Sequence, residues 1–365
     1  MVRRLVKTGL ACGLRWSGVS AANRALRGPG RAPWIVSYHR VVEDFAASAA
    51  SAIEPMLIDR AMFVRHLDWI TARFECVSLD DLGDRLERGA GFRRPAAAIT
   101  FDDGYSDVYH HAFPILKARG IPAAVFVISA LVGTTRPPLF ARLHHRLLDV
   151  RRTWPARADL LASVLSRLGP ESAGLVRRDR PAPDPHDVMR LLLEQLPQPE
   201  IERAIEVLAG DAGFEAAAED GAEDGRLPMT WEMLAEMRRA GVTIASHSRT
   251  HPLLSRENPD TVRDEIAGSR RDLMQRLGAD VLHFAYPNGW FNSDTVEAVA
   301  QAGYRWAYTS CRHRDPAYPS LTLPRTLLWQ NSATAAFGAF SPAVMGCQAD
   351  GLFERLSGCP VNHWN

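Results

Sequence analysis

The chain has 365 residues, 46% of them hydrophobic and 23% charged, with 43 basic against 42 acidic residues and a formal net charge of +1. That length can bury a large core, as one big domain or two smaller ones, and the composition is that of an ordinary soluble globular enzyme. So even a balance supplies no global field for nucleic acid or for a bulk acidic partner, and no nucleic-acid role is expected.

The chain opens on a basic segment, residues 1–31. No acidic residue occurs from Met1 to Val42, whereas Arg3, Arg4, Lys7, Arg15, Arg24, Arg27, Arg31 and Arg40 are basic. Leu5 to Leu14 is mildly apolar, but Lys7 interrupts it and Arg15 ends it. A secretory leader wants roughly 7–15 uninterrupted apolar residues, and a membrane span about 20. The segment therefore reads as a solvated lead-in helix, whose basic and partly apolar character also suits peripheral contact with an anionic membrane surface. Cytoplasmic action, at the membrane face, is the expected location, and a periplasmic one is the alternative.

From residue 32 to 330 short β-branched or aromatic runs alternate with helical periodicity. The strands are Trp34–Tyr38, Ala97–Phe101, Ala123–Ile128, Val242–Ser246, His283–Tyr286 and Trp306–Thr309. The helices between them are Arg60–Arg73, Leu79–Arg88, Asp107–Arg119, Trp231–Ala240, Thr261–Leu277 and Ser293–Ala302, with stops at Gly120, Gly241 and Gly303. This alternation predicts an α/β fold with a parallel sheet, open or closed into a barrel. It lapses between about 133 and 227, where four helical stretches (Leu139–Val150, Ala158–Leu168, Val188–Leu196 and Ile201–Leu208) and two loops, Arg178–His186 and Glu215–Gly225, read as a helical insertion. Residues 331–365 have weak periodicity and read as an irregular tail. Five cysteines, with no C-x-x-C pair, argue against a disulfide framework or thiolate metal site.

Two stretches carry chemistry. Thr100-Phe101-Asp102-Asp103-Gly104-Tyr105 follows directly on a strand. Side chains alternate along a strand, so adjacent carboxylates converge only where it ends, and Gly104 permits that turn. His247-Ser248-Arg249-Thr250-His251-Pro252 also follows a strand. Its histidines have metal-ligand spacing, but Pro252 takes His251 out of helical geometry, so a loop must present the pair. Alone, the first is an ordinary Asp-Asp-Gly turn, and the second one H-x-x-x-H among 12 histidines. Together, at the carboxyl ends of parallel strands, they offer one Asp and two His to a catalytic ion with open positions, and leave a second Asp as a base.

With T-F-D-D-G and H-[ST]-x-x-H-P complete and in order, the chain resembles the polysaccharide deacetylases, the NodB-homology group also called carbohydrate esterase family four. The resemblance implies a distorted (β/α) barrel of about seven strands. It also implies Asp102 as general base and Asp103, His247 and His251 as ligands of a divalent metal, most readily Zn²⁺. Two departures stand out. The family's third motif, commonly F-R-P-P-Y-G, here reads Phe284-Ala285-Tyr286-Pro287-Asn288-Gly289. Ala285 thus replaces the arginine that orients the base, and Arg325 is the candidate substitute, while the backbone N–H of Asn288 keeps the oxyanion role. The terminal Leu-x-His that supplies the general acid is also not apparent, and His363 is a poor candidate. Trp34-Ile35-Val36-Ser37-Tyr38-His39-Arg40-Val41 resembles the opening of a permuted branch of the family, which makes His39 the acid. Tyr105, Trp290 and Phe291, near strand ends, are candidates to stack on sugar rings or simply to pack.

The reading is metal-dependent hydrolysis of N-acetyl groups from an amino-sugar glycan or glycan precursor. Its rivals are a metal-dependent amidohydrolase acting on a small amide or imide, and a catalytically silent glycan-binding protein. A glycosidase would show paired carboxylates from separate strands.

Overall fold

A computed structural model describes residues 33–153, 160–176, 184–211, 226–335 and 338–353, with residues 9 and 13. Almost all of the basic segment 1–31 lies outside the described residues. So do 178–183 of the loop Arg178–His186, the acidic loop Glu215–Gly225 and His363.

The strands, in chain order, are β1 (Trp34–Tyr38), β2 (Arg40–Val42), β3 (Leu57–Asp59), β4 (Glu75–Cys76), β5 (Ala96–Phe101), β6 (Ala123–Val127), β7 (Thr243–Ser246), β8 (His283–Ala285), β9 (Trp306–Thr309), β10 (Leu323–Pro324) and β11 (Thr326–Leu327). The main sheet runs β10-β9-β8-β7-β6-β5-β1-β11, parallel throughout, with β4 paired to the start of β5. Its two ends are one piece of chain. Leu323 and Pro324 pair with Tyr308 and Thr309, and Thr326 and Leu327 pair with Val36 and Ser37. The Arg325 N–H donates to Thr309 O at 2.9 Å. Residues 323–327 thus close the sheet into a nearly complete barrel, of eight strands, or seven staves when β10 and β11 count as one. The expected α/β barrel is found; this closing stave, two residues either side of an arginine, was not foreseen.

Period-two alternation decides what lies inside. Ile35, Ala98, Ala124, Phe126, Ala245, Ala285, Tyr308 and Leu323 form one buried cluster within the barrel. The alanines leave room for Phe126 and Tyr308, whose rings meet edge to face at 5.4 Å. Leu79 and Leu82 join this cluster from the helix Leu79–Glu87, whose first turn is capped by Ser78 Oγ accepting from Asp81 N–H. The opposite strand faces (Val36, Ile99, Phe101, Val125, Ile244 and Phe284) pack with the surrounding helices into the larger core. Continuing the inward parity past the strand ends reaches His39, Asp102, His247 and Arg325. One fold rule therefore delivers four of the residues singled out above to a single mouth.

The helices match the expected positions within a few residues. The stretch expected as Asp107–Arg119 opens with a π-turn, Val108–Ala112, before the helix Phe113–Arg119, which ends on Gly120 in left-handed conformation. The insertion has helices Leu139–Thr153, Leu160–Leu175, Pro185–Gln195 and Gln198–Asp211 around their own apolar cluster, including Leu143, Leu147, Val164, Val188, Leu192, Ile201 and Ala204. At its neck the Gly133 N–H donates to Met229 O at 2.9 Å. The expectation of an irregular tail is corrected over part of its length. A helix, Pro342–Ala349, is capped by Ser341 Oγ, and Ala333 and Met345 are fully buried in the large core. Its eight residues are nearly all apolar or small, so no polar face marked its period. Among the described residues no helix is long and apolar enough to cross a membrane.

The barrel floor yields a stability test. A Cβ on Gly83 would lie 2.3 Å from Trp306 Cε2. Alanine favours a helix over glycine by about 1 kcal/mol, yet overpacking of a tight core usually loses about 1–3 kcal/mol. Gly83→Ala is therefore expected to unfold at lower urea concentration than wild type. An unchanged or raised midpoint would show that the helix is not held against Trp306.

Candidate active site

The two motifs meet because their strands, β5 and β7, flank β6 on either side. The Asp102 N–H donates to Tyr38 O at 2.9 Å, which extends the β1–β5 ladder by one residue. The chain then turns abruptly, with Asp103 at φ 68° and Gly104 at φ 73°. A side chain at position 104 would approach Val127 Cγ1 to 2.9 Å, so glycine is required for space as well as for its backbone. The left-handed step at Asp103 brings two consecutive carboxylates to one mouth.

The second loop is held by several hydrogen bonds. Ser248 Oγ accepts from the His251 N–H at 3.0 Å, and the Ser129 and Ala130 N–H groups bond Ser248 O and Arg249 O. The buried Glu265 carboxylate accepts from Arg249 N–H (2.8 Å), Thr250 N–H (2.9 Å) and Thr250 Oγ1 (2.6 Å). Among the described residues the non-glycine positions with positive φ are Asp103, Ser248, His251 and Asn288. All four lie in the three strand-end loops, and such backbone persists only where the surroundings over-determine it.

Asp103 Oδ1 lies 3.6 Å from His247 Nε2 and 3.6 Å from His251 Nε2. The three ligand atoms are within 4.8 Å of one another. Two ligands sharing a tetrahedral ion at zinc-like bond lengths sit about 3.4 Å apart. His247 Nδ1 is 2.8 Å from Ala285 O. A carbonyl only accepts, so Nδ1 carries the proton and Nε2 presents its lone pair toward Asp103. Burial lowers the His247 imidazole to about 4 against the pull of Asp102, and lowers His251 well below its ordinary value with help from His247. Both are then neutral, as ligands must be. Both Asp103 oxygens are buried without a hydrogen-bond partner, and burial plus the neighbouring Asp102 push its carboxyl well up. A buried carboxylate without a hydrogen-bond partner, facing the Nε2 atoms of two neutral imidazoles, is a donor set that a divalent cation satisfies.

Asp102 has the opposite surroundings. Arg325 grips it with both terminal nitrogens, at 2.7 and 2.8 Å. The guanidinium also donates to Thr100 Oγ1 at 3.1 Å and lies over the Phe126 ring. Burial raises the Asp102 carboxyl, but Arg325, then His247 and His39, hold it below the ordinary carboxylate range. Arg325 is itself buried. Ala285, where the resemblance leads one to expect an arginine, faces the same interior. His39 directly follows β1, close enough for the charges of Asp102 and Arg325 to act on its ring. Burial lowers its imidazole, and its Nδ1 has no hydrogen-bond partner.

The other candidates divide. Asn288 is exposed on the turn Pro287–Gly289 at φ 56°, and with His251 it lines a small crevice under the insertion. Gly289 behind it has no room for a Cβ, with Ser310 Oγ 2.0 Å away. Trp290 is half-buried and closes that turn through its N–H to Pro287 O. Of the two readings of Tyr105 and Phe291, packing is the one observed. Both are buried, Tyr105 under the Arg40 guanidinium at 5.1 Å and Phe291 against Tyr286. The sequence reading missed Glu265, the Arg40–Asp107 buried pair (2.7 Å) and Phe140, whose ring lies 5.1 Å from that of His251. None belongs to a motif, and only tertiary contact reveals them.

The model of the polysaccharide deacetylase family matches residues 90–152 and 204–307, which include Asp102, Asp103, His247, His251 and Asn288. YxkH of Bacillus subtilis (strain 168) is 19% identical over 316 residues, 86% of this chain and 76% of that protein. The poly-beta-1,6-N-acetyl-D-glucosamine N-deacetylase of Staphylococcus epidermidis is 28% identical over 121 residues, 31% of this chain and 42% of that one. The Streptococcus pyogenes deacetylase PplD, solved with acetate, superposes with a TM-score of 0.54 at 18% identity, over 86% of this chain and 96% of that one. PplD shares the fold, and the family match supports an enzyme of the polysaccharide deacetylase family, a glycan N-deacetylase hydrolase.

Glu265 braces the loop without touching the ligand atoms, so Glu265→Ala should keep the fold and weaken the site. Loss of an outer partner typically lowers metal affinity 10–100-fold. Competition with a chromogenic chelator for Zn²⁺ would measure it. Affinity equal to wild type would mean that the loop holds its shape without Glu265.

Proposed function

We propose, taking the support for the polysaccharide deacetylase family as premise, that the chain hydrolyses N-acetyl groups of an amino-sugar glycan with a divalent cation, most readily Zn²⁺, held by Asp103, His247 and His251. The observation that carries the reading is the division of labour between two adjacent carboxylates. Asp103 is buried, unpaired and turned toward two imidazole nitrogens. Asp102 is clamped in ionised form by Arg325.

A cation at this site polarises an acetamide carbonyl and acidifies water, its usual contribution to amide hydrolysis. The remaining chemistry belongs to side chains and backbone. Asp102, anionic and fixed by two hydrogen bonds, accepts the proton of the attacking water as that oxygen bonds to the acetyl carbon. The Asn288 N–H sits on a turn fixed by Gly289 and donates to the oxyanion. His39, in electrostatic reach of Asp102 and both histidines and with a nitrogen uncommitted to the fold, gives a proton to the sugar nitrogen as the carbon–nitrogen bond breaks. Acetate and a free amine leave. Arg325 acts through Asp102 as a positioning residue and stands in for the arginine that Ala285 displaces. The resemblance of Tyr38-His39 to the permuted branch supports His39 as the acid, since β1 places it beside β5 at the catalytic mouth.

Acetate release from N-acetylated glycans, with and without chelator, tests the reading. Asp102→Asn should lower kcat by at least about 10²-fold with Zn²⁺ still bound stoichiometrically. Turnover close to wild type in that variant, or full activity in excess chelator, would overturn it. Arg325→Lys retains the charge but not the two-pronged grip; kcat should fall with KM little changed, and an unaltered kcat would remove Arg325 from the positioning role.

A further inference from the structure

His39 is held differently from the other groups at the mouth. Its Nδ1 has no hydrogen-bond partner, whereas Asp102 is gripped by Arg325 and His247 is bonded to Ala285 O. The place of an imidazole without such an anchor is set by the backbone on its two sides. On one side β1 belongs to the barrel, and Tyr38 O accepts from the Asp102 N–H. On the other, β2 leaves the barrel and pairs with β3 in a separate two-stranded sheet, with Arg40 opposite Leu57. His39 is the single residue between the two strands, and Arg40 is the first residue of the second.

Arg40 carries the tie back to the mouth. Its Nε donates to Asp107 Oδ2 at 2.7 Å, with both side chains almost wholly buried. Asp107 leads into the π-turn Val108–Ala112 on the strand-end segment that carries Asp102 and Asp103, and β2 packs against that turn. The guanidinium also lies over the ring of Tyr105, on the same segment, at 5.1 Å. Stability is a poor account of this pair. Burial pushes the Asp107 carboxyl up to about 6 against the pull of Arg40 and of the Val41 and Val108 N–H groups, and its Oδ1 has no hydrogen-bond partner. A carboxyl raised above its unfolded value lowers stability once the pH has risen through the folded value. Apolar side chains of similar size often replace such buried pairs without loss. We infer that Asp107, acting through Arg40, is a positioning residue for the general acid. The pair locks the segment carrying His39 onto the loop carrying Asp102 and Asp103, and so sets where the proton donor stands relative to the base and the metal ligands. This rests on the deacetylase reading with His39 as the acid.

Two variants of the full-length protein test this. Arg40→Met/Asp107→Leu replaces the pair with apolar side chains that keep the interior filled, and Arg40→Lys keeps the charge without the geometry of the guanidinium. In both, Zn²⁺ affinity should change by less than the roughly 10–100-fold that loss of a metal-site partner brings. The kcat for acetate release from an N-acetylglucosamine tetramer should fall about tenfold or more with KM little changed, since a misplaced catalytic group loses up to about 10²-fold. Hydrolysis of 4-nitrophenyl acetate, whose leaving group departs without a proton, should fall about tenfold less than that. Independently of any substrate, the ring resonances of His39 in histidine-labelled protein, assigned by their loss in His39→Ala, should shift or broaden. Equal losses on amide and ester, or unmoved His39 resonances in a folded variant, would make the pair a structural one only and end the inference. His39→Ala separates this from the reading beneath it. If that variant loses amide turnover and the pair variants do not, the positioning role falls alone; if it keeps amide turnover, His39 is not the acid and both fall.

Discussion

Leu323 to Leu327 complete the barrel with two hydrogen-bonded residues on each flank, and between those flanks stands Arg325, the guanidinium that holds Asp102. Burying a carboxylate and a guanidinium forfeits several kcal/mol of hydration for each. The two-pronged contact, the bond to Thr100 and the Phe126 face beneath offset that penalty. With only one partner present, the other would be an uncompensated charge in an apolar barrel, a state that typically loses about 3–5 kcal/mol. Closure of the sheet and ionisation of the base are thus one event, because the stave that closes the circle carries the charge its interior requires.

The same mouth shows how a fold gives neighbouring groups opposite character. Asp102 and Asp103 are consecutive and both buried, yet their carboxyls move in opposite directions. The difference arises from one left-handed step at Asp103, which turns its carboxyl away from Arg325 and toward two neutral imidazoles. Paired titratable groups driven apart by their surroundings are a signature of assigned roles. The unusual backbone of Ser248 and His251 belongs to the same scheme, since Glu265 and the strand-end loop at Ser129–Ala130 hold a conformation that those residues would not adopt alone.

Much of this was legible in the sequence, for identifiable reasons. Strands buried on both faces read as short apolar runs, and Trp34–Tyr38 and Trp306–Thr309 have the expected limits. The Asp-Asp-Gly turn and the spaced histidines could be placed at strand ends because Gly104 and Pro252 exclude other geometries. What escaped lacks local pattern. The closing stave has two residues on either side of Arg325, too few for alternation to show. The helix Pro342–Ala349 has no polar face. Glu265 acts on residues some 15 positions away in the chain through a loop and a helix, and its neighbours in sequence give no hint of that. For Tyr105 a loop position could not decide between stacking and packing, because it says nothing of what lies above it, and here the insertion does.

That insertion leaves the barrel at Gly133 and returns at Met229, where one backbone hydrogen bond spans the gap. Because the two ends already touch, the four helices can be lengthened, shortened or exchanged without altering the register of a single barrel strand, and closure entropy changes only slowly with the length of what is looped out. The family match skips residues 153–203, within this excursion. Strand register is therefore insulated from the excursion, whereas the histidine loop is not, because Phe140 lies 5.1 Å from the His251 ring and Gln198 Oε1 accepts from Thr250 Oγ1.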